Sequence, residues 1–126
     1  AAAVAAPVAN LLSHMGTSDS GYYVTPFGMG CGPEDDPELY RRLSPVNYCH
    51  QVTAATLILQ GENDGRCPRG QAEELFSNLI RCTDAEVQLV VYPQSSHAEA
   101  ESGRPSNRVD YHGRLAEWVD RHANPR

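Results

Sequence analysis

Residues 55–60 (ATLILQ) form an apolar run that Gly61 closes. Thr56, Leu57, Ile58 and Leu59 show no polar alternation, so neither face of this segment is built for water. That pattern belongs to an inner strand of a parallel sheet, with neighbours on both edges and helices on both faces. Two further segments can supply the neighbours. Residues 86–92 (EVQLVVY) read as a strand ended by Pro93. Residues 2–8 (AAVAAPV) read as an uncharged, buried strand with Pro7 at its end or edge.

The intervening segments carry helical signals. Asn10 is a candidate N-cap for a short helix through Leu11, Leu12 and Met15, stopped at Gly16. Asp36-Pro37-Glu38 starts a helix through Leu39, Tyr40 and Leu43: a capping carboxylate, proline in the first turn, then an acid near the positive dipole end. Ser44-Pro45 interrupts it. From about Gly70 to Arg81, the residues Ala72, Leu75, Phe76, Leu79 and Ile80 fall on one helical face. The last helix is expected from Pro105 to about His122, with Val109, His112, Leu115, Trp118, Val119 and His122 toward the core. Residues 16–38 are rich in Gly, Pro, Asp and Ser and read as one long loop. The polar stretch after Pro93 reads the same way. The resulting order alternates strands and helices, which predicts a parallel sheet with right-handed crossovers.

Composition narrows the function. With 10 Lys and Arg against 16 Asp and Glu, the formal charge is −6, which argues against a nucleic-acid backbone as the main partner. No apolar run reaches the roughly 20 residues of a membrane-spanning helix. Cys31, Cys49, Cys67 and Cys82 contain no C-x-x-C and fit no zinc-site spacing. We therefore expect reduced, mostly buried thiols, a cytoplasmic protein and no metal or other cofactor. His14, His50, His112 and His122 read as packing or surface groups, and H-E-x-x-H is absent.

In open parallel sheets, active sites form at the carboxyl ends of strands. Glu62 and Asp64 follow the middle strand, and His97 follows the last one. Adjacent strands would bring the two loops together. An acid and a histidine in that chain order are the second and third members of a hydrolase triad, and residue order alone does not choose between Glu62 and Asp64. The nucleophile elbow G-x-S-x-G is missing from the sequence. The nearest segment, Gly16-Thr17-Ser18-Asp19-Ser20-Gly21, has the wrong spacing, and Ser18 reads as a turn residue. The chain then carries a base and its orienting acid without the nucleophile.

The segments LILQGENDGRCPRGQAEELF, VVYPQSSHAEAESGRPSNR and LAEWVDRH resemble the carboxyl-terminal end of the prolyl-oligopeptidase family's catalytic domain, in its acylaminoacyl-peptidase-like branch. GTSDSGYYVTPFG and EDDPELYRRLSPVNY resemble the same branch. The resemblance covers residues 1–123 or so. It implies that residues 1–126 are part of an α/β-hydrolase catalytic domain with about three parallel strands, flanking helices and an incomplete sheet. It implies Asp64 and His97 as the triad acid and base. The serine would lie in a preceding segment, and an amino-terminal β-propeller would gate the site. Both are expected on a separate chain or a removed segment, consistent with a sequence that starts without Met. The stretch Ala98-Glu99-Ala100-Glu101 departs from the family's less acidic pattern. The expected substrates are short or N-acylated peptides, and the chain alone is expected to be inactive. Alternatives are part of a carboxylesterase, or a non-catalytic interaction module whose open sheet edge favours pairing, including a homo-oligomer.

Overall fold

The computed structural model describes residues 1–123. Three parallel strands, β1 (Ala2–Ala5), β2 (Thr56–Gly61) and β3 (Val87–Tyr92), lie in the order β1-β2-β3. Ala2 pairs with Thr56, Thr56 with Val87, and Gly61 with Tyr92. Every residue of β2 is buried, as its unbroken apolar run requires. Successive side chains of a strand point to opposite faces. Leu57 and Leu59 therefore pack with Tyr92, Tyr111 and Trp118 on one side. Ile58 packs with Cys49, Ala72 and Leu79 on the other.

The strand expected over 2–8 ends at Ala5. The Ala6 N–H still donates to the Leu59 carbonyl at 3.0 Å, but Ala6 takes a positive φ of 43° and Pro7 has no N–H to donate, so the ladder stops there. The residues of β1 alternate between half-buried and exposed, and among the described residues the strand pairs only with β2.

Helix α1 (Leu11–Thr17) starts on the Asn10 cap, whose side chain accepts the Leu12 N–H. Residues 16–38 are not one loop. They hold α2 (Gly21–Met29), which encloses Pro26 and is ended by Gly30 at φ 78°. The helix escapes sequence detection because it buries no apolar stripe: Tyr22, Tyr23 and Phe27 are all exposed. Gly21 lets it sit against α1, since a Cβ there would come within 2.9 Å of the Met15 Cα.

Helix α3 (Pro37–Arg42) has Asp36 as its cap, accepting the Leu39 N–H. A 3₁₀ helix (Pro45–Gln51) follows. Helix α4 (Arg69–Cys82) buries Ala72 and Leu79 and half-buries Leu75 and Phe76, while Ile80 faces out. The polar stretch after β3 contains a short helix, α5 (Glu99–Ser102), before the last helix, α6 (Pro105–Ala123).

The inner face of α6 is Tyr111, Leu115 and Trp118, with His122 stacked 4.4 Å from the Trp118 ring. Val109, His112 and Val119 are exposed, contrary to the expected stripe. Positions 111, 115 and 118 follow the helical repeat, and the stripe through 109 and 112 passes over Tyr111, the larger apolar body.

Candidate active site

The site is built where β2 and β3 end. Past Gly61 the two chains stay together: the Glu62 N–H donates to the Tyr92 carbonyl at 3.0 Å, and the Asn63 N–H to the Ser95 carbonyl at 2.8 Å. The turn that follows carries Asp64. Its Oδ1 accepts the N–H groups of Arg66 at 2.9 Å and Cys67 at 2.8 Å. Its Oδ2 lies 2.9 Å from His97 Nδ1. The Asp64 side chain is fully buried, while about half of the His97 side chain is exposed.

An ionised carboxylate only accepts hydrogen bonds, so His97 Nδ1 carries the proton in this contact. Nε2 then holds the lone pair on a ring that solvent can reach. Two backbone donors hold the other carboxylate oxygen. This is the arrangement of an oriented general base.

Glu62 has a different task. Its Oε2 accepts the Gln94 N–H at 2.9 Å, and Oε1 lies 3.9 Å from Arg69 Nη1. It therefore braces the Pro93-Gln94 turn, where Gln94 adopts φ 59°, and is not hydrogen-bonded to His97. The structure joins Asp64, and not Glu62, to the histidine.

Several supports were not legible in the sequence. The Arg66 carbonyl, two residues beyond Asp64, accepts the Ser18 hydroxyl at 2.7 Å and lies 3.0 Å from His14 Nε2. Buried His14 reaches Thr25 Oγ1 through Nδ1 at 3.2 Å. The Asp19 N–H donates to the Gly65 carbonyl at 2.8 Å, and Arg66 Nε to Asp19 Oδ1 at 2.7 Å. The Arg66 guanidinium holds the Asp19 carboxyl below its usual range. Ser18 is thus a brace for the acid's turn, in keeping with a turn residue. On the histidine side, Ser95 is buried and its Oγ accepts from Asn107 Nδ2 at 3.1 Å, tying the loop to α6.

Among the described residues, no serine hydroxyl is hydrogen-bonded to His97, and Ser18 and Ser95 are engaged elsewhere. The nearby Cys67 is buried, and burial followed by the Asp64 charge pushes its thiol up, which opposes a thiolate nucleophile. All four cysteines are unbonded, with Cys49 and Cys67 buried and Cys82 exposed. No group of three or more potential metal ligands occurs among the described residues, and no described helix is long and apolar enough to cross a membrane.

Parallel strands with an Asp-then-His pair at their carboxyl ends define the carboxyl-terminal portion of an α/β-hydrolase fold. The model of the prolyl oligopeptidase family matches residues 1–126, and the chain belongs to that family. It is 36% identical over 115 residues to an uncharacterised peptidase, YuxL, of Bacillus subtilis, covering 91% of this chain and 17% of that protein. It is 32% identical over 118 residues to the acylamino-acid-releasing enzyme of Rattus norvegicus, covering 82% of this chain and 15% of the relative. The acylaminoacyl peptidase of Pyrococcus horikoshii superimposes with a TM-score of 0.90 at 25% identity, over 96% of this chain and 20% of that one. The chain therefore spans a fifth or less of each of these proteins.

Proposed function

We propose that Asp64 and His97 are the acid and base of a Ser-Asp-His triad in a serine peptidase of this family, with the serine outside this chain. The observation that carries the reading is the 2.9 Å contact between Asp64 Oδ2 and His97 Nδ1, with the other carboxylate oxygen held by two amides. In this reading His97 Nε2 takes the serine proton as the oxygen attacks the peptide carbonyl. The imidazolium, stabilised by Asp64, then protonates the leaving amine. Water repeats the sequence to free the acid product. The substrates are short or N-acylated peptides; the acylamino-acid-releasing and acylaminoacyl-peptidase names of two relatives support the N-acylated class.

The segment bearing the nucleophile lies along the free edge of β1. An apolar groove of about 520 Å³ beside that edge, lined by Val4, Val8, Tyr48, Leu75 and Leu79 among others, supports this placement. This chain by itself is then inactive. The unbonded thiols support a cytoplasmic home.

A fluorophosphonate probe applied to the full-length protein tests the reading. Labelling of one serine that fades in His97→Ala is expected. Full labelling and turnover in His97→Ala would sink it.

A further inference from the structure

Helix α6 carries three different stripes along its length. The inner one is Tyr111, Leu115, Trp118 and His122. One flank, Asp110, Arg114, Glu117 and Arg121, alternates in charge and leans toward β3. There Asp110 accepts the Tyr92 hydroxyl, and Arg121 meets Glu86, the residue before β3. The opposite flank holds Val109, His112, Ala116 and Val119, again at helical spacing. All four are exposed, Val109 at 76% and Val119 at 47%. With the charged flank on the β3 side, this apolar flank overhangs β1, which α6 also contacts.

The face of β1 beneath it is bare as well. Ala3 and Ala5 register with Leu57 and Leu59, so they share the α6 face of the sheet, and both are exposed. Apolar surface on the strand thus adjoins apolar surface on the helix, at the edge of β1 that no described strand pairs. The charged flank of the same helix shows the composition suited to water.

The segment that leads into β1 does not cover this corner. Crossovers between parallel strands are right-handed in nearly all cases. β2 reaches β3 through α4, which lies on the Ile58 face of the sheet. A crossover stepping in the same direction, from a strand beside β1, puts its helix on that same face, over the groove of Val4 and Leu75. The α6 face needs another element. A second copy of the chain placed there would compete with the upstream strand for the edge of β1. This chain covers 20% or less of each relative described above, so ample polypeptide lies outside it to supply a helix.

We propose that a helix from the amino-terminal part of the full-length polypeptide, separate from the one that leads into β1, packs across Val109, Ala116 and Val119 of α6 and onto Ala3 and Ala5 of β1. The alanines let its backbone come close, and the valines give its side chains a ridge to interlock with. From Val109 to Val119 the stripe runs about 15 Å, so the covering helix has about three turns or more. The proposal rests on the placement of the missing segment along β1, and its readout does not depend on catalysis.

The test uses the full-length protein with Val109→Cys, Val119→Cys or, on the charged flank, Glu117→Cys. Alkylation by iodoacetamide is followed at each position by peptide mass spectrometry. The thiols at 109 and 119 are expected to react at least about tenfold more slowly than the one at 117, because they wait for the covering helix to open. Ala116→Cys supplies the same measurement if either valine variant does not fold. Equal rates on the two flanks overturn the proposal. Protection that fades on dilution would show a second copy on this face and overturns it too. Protected thiols in a protein whose serine no fluorophosphonate labels would leave this surface standing and sink the peptidase reading. Labelling of a serine with unprotected thiols would do the reverse.

Discussion

Gly61 lies against the backbone of the histidine loop: a Cβ at this position would sit 2.5 Å from the Ser96 carbonyl oxygen and 2.7 Å from that of Ser95. Both contacts are to backbone, which cannot swing away as a side chain can. The close crossing is what brings the Asp64 and His97 loops within hydrogen-bond distance. Gly61→Ala should therefore separate them. We expect a loss of about 1–3 kcal/mol in stability, and in the full-length protein a larger fall in kcat than in KM. Chemical denaturation and steady-state kinetics check the two parts.

Asp64→Asn keeps the shape of the acid's turn but places an amide where the carboxylate was. If its N–H₂ faces His97, the ring must present a lone pair at Nδ1 and carry its proton on Nε2. The base is then lost although nothing has moved. By the triad mechanism, kcat in the full-length protein should drop by about 10⁴-fold, with folding preserved by circular dichroism. A fall of less than tenfold would show that Asp64 does not set the tautomer.

The same residues show what was legible beforehand. The unbroken apolar run of β2 fixed the parallel sheet, and strand order alone placed an acidic loop beside His97. Choosing Asp64 over Glu62 needed either the family resemblance or the coordinates, because both acids follow the same strand by a few residues. Helix α2 was invisible because its apolar side chains face out, and Pro26 and its glycines read as loop. His14 and Ser18 act on a carbonyl about 50 residues away in sequence, a relation with no local periodicity to reveal it. In α6 the inward Leu115, Trp118 and His122 are legible in the sequence, while Val109, His112 and Val119 face out and Tyr111 takes the inner position instead.

His14 gives a third prediction. His14→Leu removes the Thr25 hydroxyl's partner and one of the two partners of the Arg66 carbonyl, which keeps Ser18. Leaving the buried Thr25 hydroxyl unpaired should cost about 1–3 kcal/mol. The Asp64 turn should loosen with it, lowering kcat more than KM. His14→Gln, which retains a donor, should restore part of both. Equal effects from the two variants would show that only packing matters.

Alkaline pH supplies a fourth. Burial, and then the hydrogen bond to Asp110, raise the Tyr92 hydroxyl well above its usual range, and burial raises Tyr111 in the same direction. A phenol whose folded pKa exceeds its unfolded value contributes stability that is complete below the unfolded value, about 10. That stability is lost as pH rises beyond it toward the folded value. The Tm should hold to about pH 9.5 and then fall. Tyr92→Phe should flatten part of that alkaline limb, as followed by melting curves from pH 8 to 11.

The contact between Asp64 and His97 spans one β-α-β crossover: β2, the acid's turn, α4, β3 and the histidine loop. Asp64 and the two amides that hold it belong to this stretch, which is braced from α1 and its following turn and, through Asn107, from α6. On the triad reading, this single crossover supplies both the proton acceptor and the acid that orients it, and the segment outside this chain contributes the serine.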